Sequence, residues 1–518
     1  GVGCYRFITT EGIGGDTMFA GLPSGFFMSV MPIGFGLLAI RILWLSGDSW
    51  RLRLIPLVLG VALFAFCTYQ FEEVESFVWP LLILLVIGTV AGAPLYVTIG
   101  GAALIMNWGW GGYFPEERVE IAVSTQAQTL YSFIRNPLLV TLPLFTLAGY
   151  FLAQGDSSKR LIRLIQSVFG GVRGGAVIVT VIVCAFFTTF TGASGVTILA
   201  LGGLLMPVLQ SAGYSERSSI GMLTGTGSLG VLFPPCLPLI LYAVVATNTQ
   251  LVSLSLKDVF LGGAIPGTLL VLMTIGWGMW NQPKFEGERS PLDWNEIGKA
   301  FTGALGELML PILTLFALFS GYATPVEAAS VSAFYAFLLY LVDARWVRKV
   351  NIRTELPQMV SECGLLVGGV LLILGVAMGL TDYLIFAMIP DQMVEWAQAT
   401  IESKYVFLLA LNGALILVGC LMDIFSAIIV IVPLIVPLGV VFGIHPVHLG
   451  IIFLANLQLG YLTPPIGMNL FLASYRFGKP MSEVIRASFP LLIVFAIGVL
   501  LITYVPFLTT WLPNLLQQ

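Results

Sequence analysis

The sequence predicts an all-α polytopic membrane protein made of two inverted-topology repeats, each carrying a re-entrant helical hairpin and a helix broken at Pro-Pro. Three observations predict it. First, the 518 residues are 58% hydrophobic and 10% charged, with a mean hydropathy of +0.96, whereas soluble domains carry about 25% charged residues. Second, one broken-helix pattern occurs twice. Ser228-Leu229-Gly230-Val231-Leu232-Phe233-Pro234-Pro235 returns 230 residues later as Gln458-Leu459-Gly460-Tyr461-Leu462-Thr463-Pro464-Pro465, and Ile198/Ile428, Leu204/Leu434, Pro207/Pro437, Gly213/Gly443 and Ala243/Ala473 keep the same offset. Third, the basic and acidic loops fall on opposite sides once the helices are laid out.

A membrane-crossing helix needs about 20 apolar residues. Helices are expected at 24–44, 54–71, 77–92, 94–108, 137–153, 217–247, 259–281, 305–320, 325–342, 364–380, 446–475 and 484–511. Those at 217–247 and 446–475 are interrupted by Pro234-Pro235 and Pro464-Pro465. The runs 175–209 and 405–442 are interrupted instead by Thr191-Gly192-Ala193-Ser194-Gly195 and Asp423-Ile424-Phe425-Ser426-Ala427, so each is expected to enter and leave on one side as a hairpin. Thr125 through Phe133 and Ser158 through Phe169 are amphipathic and suit arms lying at the interface.

Lysine and arginine near short loops mark the cytoplasm. The basic clusters are Arg41/Arg51/Arg53, Lys159/Arg160/Arg163/Arg173, Arg345/Arg348/Lys349/Arg353 and Arg476/Lys479/Arg486. The acidic ones are Glu72/Glu73/Glu75, Glu116/Glu117/Glu120 and Asp382/Asp391/Glu395/Glu402. With the helices above, the two sets alternate sides, and the C-terminus is expected to be periplasmic. From Phe77 to the equivalent start at Leu305 the chain crosses an odd number of times, so the second repeat is inverted. The expected organisation is a helix in 1–53, a connecting helix in 54–76, repeat 1 over 77–281, a cytoplasmic linker helix over 282–304 and repeat 2 over 305–518.

Two corresponding hydrophobic segments broken by Gly and Pro at membrane depth point to a transporter's binding site. A proline break frees backbone groups, which in lipid must bind protein, water or a ligand. The side-chain oxygens nearby are those of Thr191, Ser194, Thr197, Asp423, Ser426, Asn456, Thr463 and Asn469, an oxygen-only set that suits a hard cation. Helix C-terminal ends suit Na⁺ and N-terminal ends suit a carboxylate. An acid inside an apolar run is a functional hypothesis by default, which puts Asp423 first, ahead of the alternative that it caps the hairpin tip. Glu327 belongs to a capping box, Thr324-Pro325-Val326-Glu327. His445 and His448 are expected to start a helix or sit in its loop, and Cys67, Cys184, Cys236, Cys363 and Cys420 to pack as small core residues. A net charge of −4 without a polybasic tract speaks against nucleic acid as a partner.

Phe187-Thr-Thr-Phe-Thr-Gly-Ala-Ser-Gly195, Ser228 through Pro235, Ile265-Pro-Gly-Thr268, Met422-Asp-Ile-Phe-Ser-Ala427 and Tyr461-Leu-Thr-Pro-Pro-Ile-Gly-Met-Asn469 resemble the large (M) subunit of TRAP transporters, the tripartite ATP-independent periplasmic type, over about 77–513. Residues 18–44 look like the last helix of the small (Q) subunit, with 54–71 as the connector of fused QM proteins, which would put Gly1 inside such a fusion. The resemblance implies a multi-pass protein of the bacterial inner membrane, not an enzyme, with an elevator-type fold like that of the ion-transporter superfamily. It implies Na⁺-driven uptake of a small carboxylate that a soluble periplasmic binding protein delivers. By motif, Gly192, Ser194, Gly230 and Pro234 would help form one Na⁺ site, and Asp423, Gly460, Thr463 and Pro465 the other. Substrate would lie between the tips, near Thr191, Ser194, Thr197, Ser426 and Asn469. Many relatives have Ser at the position of Ala193 and an acid at that of Thr197; here tip one carries no charge and would rely on carbonyls and hydroxyls.

The rival classes fit less well. A channel should show a continuous polar stripe, an intramembrane protease a paired nucleophile and base, and an ATP-driven pump a Walker A sequence in some subunit; this chain has none of these. A stand-alone Na⁺/carboxylate symporter is the remaining alternative.

Overall fold

The computed structural model describes residues 75–90, 95–110, 137–282 and 293–516, with a few isolated helical positions before them. Most of the expected helices 24–44 and 54–71, Cys67 and the amphipathic stretch Thr125–Phe133 lie outside the described residues. Among those described, all regular structure is helical. Among the described residues, eight helices are long and apolar enough to cross a membrane, or up to ten if each of two bent pairs is one span.

Helices α1 (Glu75–Val90) and α2 (Leu95–Trp110) pack together and belong, with residues 371–389, to one compact unit. The other unit holds everything that follows except that stretch. It opens with a 3₁₀ turn (Pro137–Val140) and α3 (Thr141–Gln154). After a 69° bend comes α4 (Ser157–Phe169), a helix over the stretch whose pattern is amphipathic. It buries Leu161, Ile162 and Leu164.

The expected hairpin at 175–209 is the pair α5 (Gly175–Thr191) and α6 (Ser194–Ser211). The first broken helix is α7 (Glu216–Thr226), a 3₁₀ turn (Leu229–Leu232) and α8 (Leu237–Asn248), and α9 (Leu256–Trp280) closes this half. The second half begins with α10 (Trp294–Phe319), α11 (Pro325–Val342) and α12 (Ile352–Phe386), then the short α13 (Ile389–Thr400). The hairpin expected at 405–442 is α14 (Lys404–Leu421) and α15 (Ile424–Val441). Its far ends meet: Phe407 stacks on Phe442 with ring centroids 4.3 Å apart, and Lys404 Nζ donates to the Gly443 carbonyl at 3.0 Å. The second broken helix is α16 (Pro446–Gly460) and α17 (Met468–Phe477), followed by α18 (Met481–Tyr504) and α19 (Phe507–Leu516).

Helix α10 runs unbroken from Trp294, where the sequence expectation kept a separate linker helix up to residue 304. Asp293 caps it, its carboxylate accepting from the Asn295 N–H at 2.9 Å. Likewise α12 extends beyond the expected 364–380 at both ends. Hydropathy marks where a helix meets an apolar surrounding, whereas the helix itself continues until a cap or breaker stops it. The smaller expectations hold. Thr324 and Glu327 form the reciprocal capping box and His445 caps α16. Cys184, Cys236, Cys363 and Cys420 are buried free thiols.

The packing between halves is reciprocal. Helix α8, after the first break, packs on α15 of the second hairpin; α17, after the second break, packs on α6 of the first. The second exchange has its own apolar core of Ile198, Ile220, Leu470, Ala473, Val484 and Ala487. A Cβ on Gly195 would stand 2.5 Å from Leu472 Cδ1, so α6 and α17 pack closely there.

Candidate functional site

Each hairpin turns around in two residues, by different means. At tip one, Gly192 ends α5 in the left-handed region (φ +66°), its N–H donating to the Thr188 carbonyl at 2.9 Å. Both the positive φ and the space demand glycine, for a Cβ there would lie 2.7 Å from Leu237 Cβ. At tip two, Met422 is extended and Asp423 starts α15 as its N-cap. The Asp423 carboxylate accepts from the N–H groups of Phe425 (2.9 Å) and Ser426 (3.1 Å) and from the Ser426 hydroxyl. The negative charge therefore sits at the positive end of a helix.

Tip one is held by a threonine lattice. Thr188 Oγ1 lies 2.7 Å from Thr197 Oγ1, 2.8 Å from the Gly227 carbonyl and 2.9 Å from the Cys184 carbonyl. Three oxygens thus surround one hydroxyl, which makes Thr188 the hub of tip one. Thr189 Oγ1 lies 2.8 Å from the Ala185 carbonyl and 3.2 Å from that of Gly230. Gly230 sits so close to α5 that a Cβ would lie 2.7 Å from Thr188 Cβ and overlap the Ala185 carbonyl. Ser194 reaches across the repeats: its hydroxyl donates to Asn469 Oδ1 at 2.7 Å, and Asn469 Nδ2 donates to the Thr224 carbonyl at 3.2 Å.

At tip two, Gly460 touches the first arm of the hairpin, where its Cβ would lie 2.6 Å from Gly419 Cα. The Gly467 N–H donates to the Cys420 carbonyl at 3.1 Å, tying the second break to the tip. Thr463 bonds back to the Leu459 carbonyl of its own helix at 2.9 Å. Pro234-Pro235 and Pro464-Pro465 are both cis. Pro234 is half-buried, whereas Pro465 is exposed.

Of the residues singled out from sequence, the structure therefore joins Ser194 to Asn469, Gly192 and Thr197 to the lattice of tip one, Gly230 to that lattice through Thr189, Asp423 to Ser426, and Gly460 to the second hairpin. Thr191 stays within its own turn, its hydroxyl 3.5 Å from the Ala193 carbonyl. No bond between the described residues joins Ser426 to Ser194. Sequence reasoning missed Thr188 and Thr189, although the run Phe187-Thr-Thr-Phe-Thr-Gly stood in the motif. A hydroxyl one helical turn before a tip was the available signal. It also missed the buried bond from Asn456 Nδ2 to Asn412 Oδ1 (2.6 Å), with Thr503 Oγ1 donating to the same oxygen at 3.1 Å. Around both tips the available donors are hydroxyl, carboxylate, amide and backbone oxygens, a set that fits a hard cation.

Paired broken helices, each facing the other half's hairpin within a multi-span helical body, define a membrane transporter. The architecture is shared at a TM-score of 0.55, over 75% of this chain and 88% of the other at 15% identity, with the crystal structure of the Alcanivorax borkumensis YdaH transporter. Residues 78–508 match the family "Tripartite ATP-independent periplasmic transporter, DctM component". The C4-dicarboxylate TRAP transporter large permease protein DctM of Vibrio cholerae is 31% identical over 84% of this chain and 98% of its own length. The isethionate TRAP transporter permease protein DctMQ of Oleidesulfovibrio alaskensis is 28% identical over 92% of this chain and 73% of its own length. The ectoine TRAP transporter large permease protein TeaC of Halomonas elongata is 26% identical over 82% and 96%. The chain belongs to the DctM family of TRAP transporter large permeases. It is a multi-pass membrane permease for small solutes and one component of a tripartite system, not an enzyme.

Proposed function

We propose that this chain carries out Na⁺-coupled uptake of a small organic anion, a carboxylate, delivered by a periplasmic substrate-binding protein, and that it does so by elevator-type alternating access. The observation that carries the reading is the pair of tips. Each hairpin turns beside a broken helix, among hydroxyl, carboxylate and carbonyl oxygens, and the Ser194–Asn469 bond links the two halves where a substrate between the tips would touch both. One Na⁺ would be held by Gly192, Ser194, Gly230 and Pro234, the other by Asp423, Gly460, Thr463 and Pro465. Substrate would engage Thr191, Ser194, Thr197, Ser426 and Asn469. Carbonyls freed at the breaks would serve the cations, and helix N-termini the carboxylate.

The reciprocal packing of α8 on α15 and α17 on α6 supports two inverted repeats, about 77–281 and 305–518, around an axis in the membrane plane. The loop charges support an inner-membrane orientation with a periplasmic C-terminus. The fused relative from Oleidesulfovibrio alaskensis supports a QM fusion in which 1–53 ends the small subunit and 54–76 connects it. The names of the relatives speak of C4-dicarboxylates, isethionate and ectoine, so the substrate class is kept at small organic acids.

The test is uptake in proteoliposomes that contain the permease with its small-subunit helices. A matched binding protein and a panel of labelled organic acids would be supplied, with and without an inward Na⁺ gradient. Uptake requiring both the binding protein and Na⁺ is expected. Uptake that ignores the binding protein would turn the reading to a stand-alone symporter, and indifference to Na⁺ would remove both ion sites.

A further inference from the structure

Among the described residues, a buried charge cluster made of side chains outside the two tips lies at the corner where α3 bends into α4. A π-helical turn, Asp343–Val347, follows α11 and aims Asp343 at that corner. Asp343 is 4% exposed. One of its carboxylate oxygens accepts from the Asp156 N–H (3.2 Å) at the start of α4 and from Arg348 Nε (2.8 Å). The other pairs with Arg160 Nη2 of α4. Arg160 Nη1 in turn donates at 2.8 Å to Glu307 of α10, which is 2% exposed. Arg348 forks onto Glu355 of α12 (2.7 and 3.3 Å), and the Tyr340 hydroxyl donates to the same carboxylate at 3.1 Å. Residues almost two hundred positions apart thus lock one corner, and the outlying pairs Lys159–Asp156 and Arg163–Glu296 lie in solvent around it.

Such a cluster is poor evidence for stability, since desolvating the ions offsets much of their attraction. It does fix geometry: the Arg160 fork admits one arrangement of α4 against α10 and Asp343. π-turns of this kind occur often at functional sites. The other end of α4 is built the opposite way. Gly170-Gly171-Val172-Arg173-Gly174-Gly175 joins it to α5, the first arm of hairpin one, with Gly174 at φ +80°. That end is closed by the turn's own backbone bonds, from the Val172 N–H to the Phe169 carbonyl (3.0 Å) and from the Gly175 N–H to the Val172 carbonyl (2.9 Å).

We propose that Arg160, Asp343 and Glu307 form the fixed joint from which α4 carries hairpin one during translocation. They are positioning residues that touch neither ion nor substrate. The inference rests on the alternating-access reading above.

The test compares Arg160→Met, Glu307→Gln, Arg160→Lys, the double variant Arg160→Met/Glu307→Leu and the surface control Arg163→Met in the proteoliposome assay. Half-saturating Na⁺ and substrate are measured beside maximal rate, and folded protein by size exclusion. Arg160→Met and Glu307→Gln are expected to lower the maximal rate about tenfold while half-saturation stays within about twofold. The double variant is expected to be no worse than either single, because no lone buried charge remains. Arg160→Lys is expected to fall between, and Arg163→Met to match wild type. If Arg160→Met does not fold, Glu307→Gln and Arg160→Lys carry the test. Wild-type rates in all variants, multiplicative loss in the double, or half-saturation rising with the loss of rate would overturn the proposal. Absence of gradient-driven uptake in the wild type would instead overturn the reading on which it rests.

Discussion

The two hairpin tips occupy the same register, 230 residues apart, and are closed by opposite devices. Gly192 and Ala193 correspond to Met422 and Asp423. Tip one is closed by a glycine C-cap and is neutral; tip two by an aspartate N-cap and is charged. Their breaks differ as well. The first is buried or half-buried throughout, whereas Pro464, Pro465 and Ile466 of the second are exposed. A two-residue turn between apolar helices leaves backbone groups unpaired, and either a left-handed residue or a capping side chain can satisfy them. Only the second device places a formal charge at the turn. Equivalent folds can therefore present unlike ligands: a hydroxyl and carbonyl lattice at one end, a carboxylate at the other.

This contrast can be broken most forcefully at Gly230. Gly230→Ala drives a methyl into α5 where no backbone can yield, and is expected to cost about 3 kcal/mol or more, seen as loss of folded protein in detergent. Gly413→Ala, on an open helix face, is the control and should be neutral to slightly stabilising. Asp423→Asn tests whether the charge matters beyond the cap. Asn caps as well as Asp, so thermal stability should stay near wild type while half-saturating Na⁺ rises about tenfold. Unchanged Na⁺ dependence would leave Asp423 a cap alone. Thr188→Val removes the hub of tip one and is expected to cost about 1–3 kcal/mol, visible in a melting curve.

Smaller effects sharpen the picture at the two ends of the second broken helix. Burial holds His445 below its ordinary pKa of 6.5, with Asp258 opposing, and its Nδ1 accepts from the Val447 N–H at 3.3 Å. A depressed histidine stabilises the fold fully above its unfolded pKa, and that stability is lost as pH falls through the folded value. A modest drop in melting temperature below about pH 6.5 is therefore expected, and His445→Asn should remove it while keeping the cap. Smallest of all, Lys479→Met breaks only the exposed pair with Glu216 (3.0 Å) and should change neither stability nor uptake measurably.

Much of this was legible in the sequence, and for local reasons. Glycine and proline punctuate helices wherever they occur, so the hairpin tips and both breaks fell where the residues put them. Thr324-Pro325-Val326-Glu327 announced its capping box because all its partners lie within one turn. The start of α10 at Trp294 was not legible, because polar and apolar residues share one uninterrupted helix and hydropathy reports only its surroundings. Thr188 escaped notice because a threonine in a membrane helix ordinarily bonds its own preceding turn. It does so here too, and only the fold adds Thr197 and Gly227. The basic loops around Arg160 and Arg348 read as orientation signals; folding pairs both with buried acids.

The sequence by itself determined that the chain spans the membrane, that it repeats, and where each repeat breaks. These follow from composition, offset and chain stiffness, which act within a few residues of one another. Only the tertiary structure decided which oxygens meet. The exchange of α8 onto α15 and α17 onto α6, the Ser194–Asn469 bond and the Arg160–Asp343 corner all join residues far apart in the chain. Their pairing depends on how whole helices pack, and no local pattern encodes the partner a side chain finds across a helix interface.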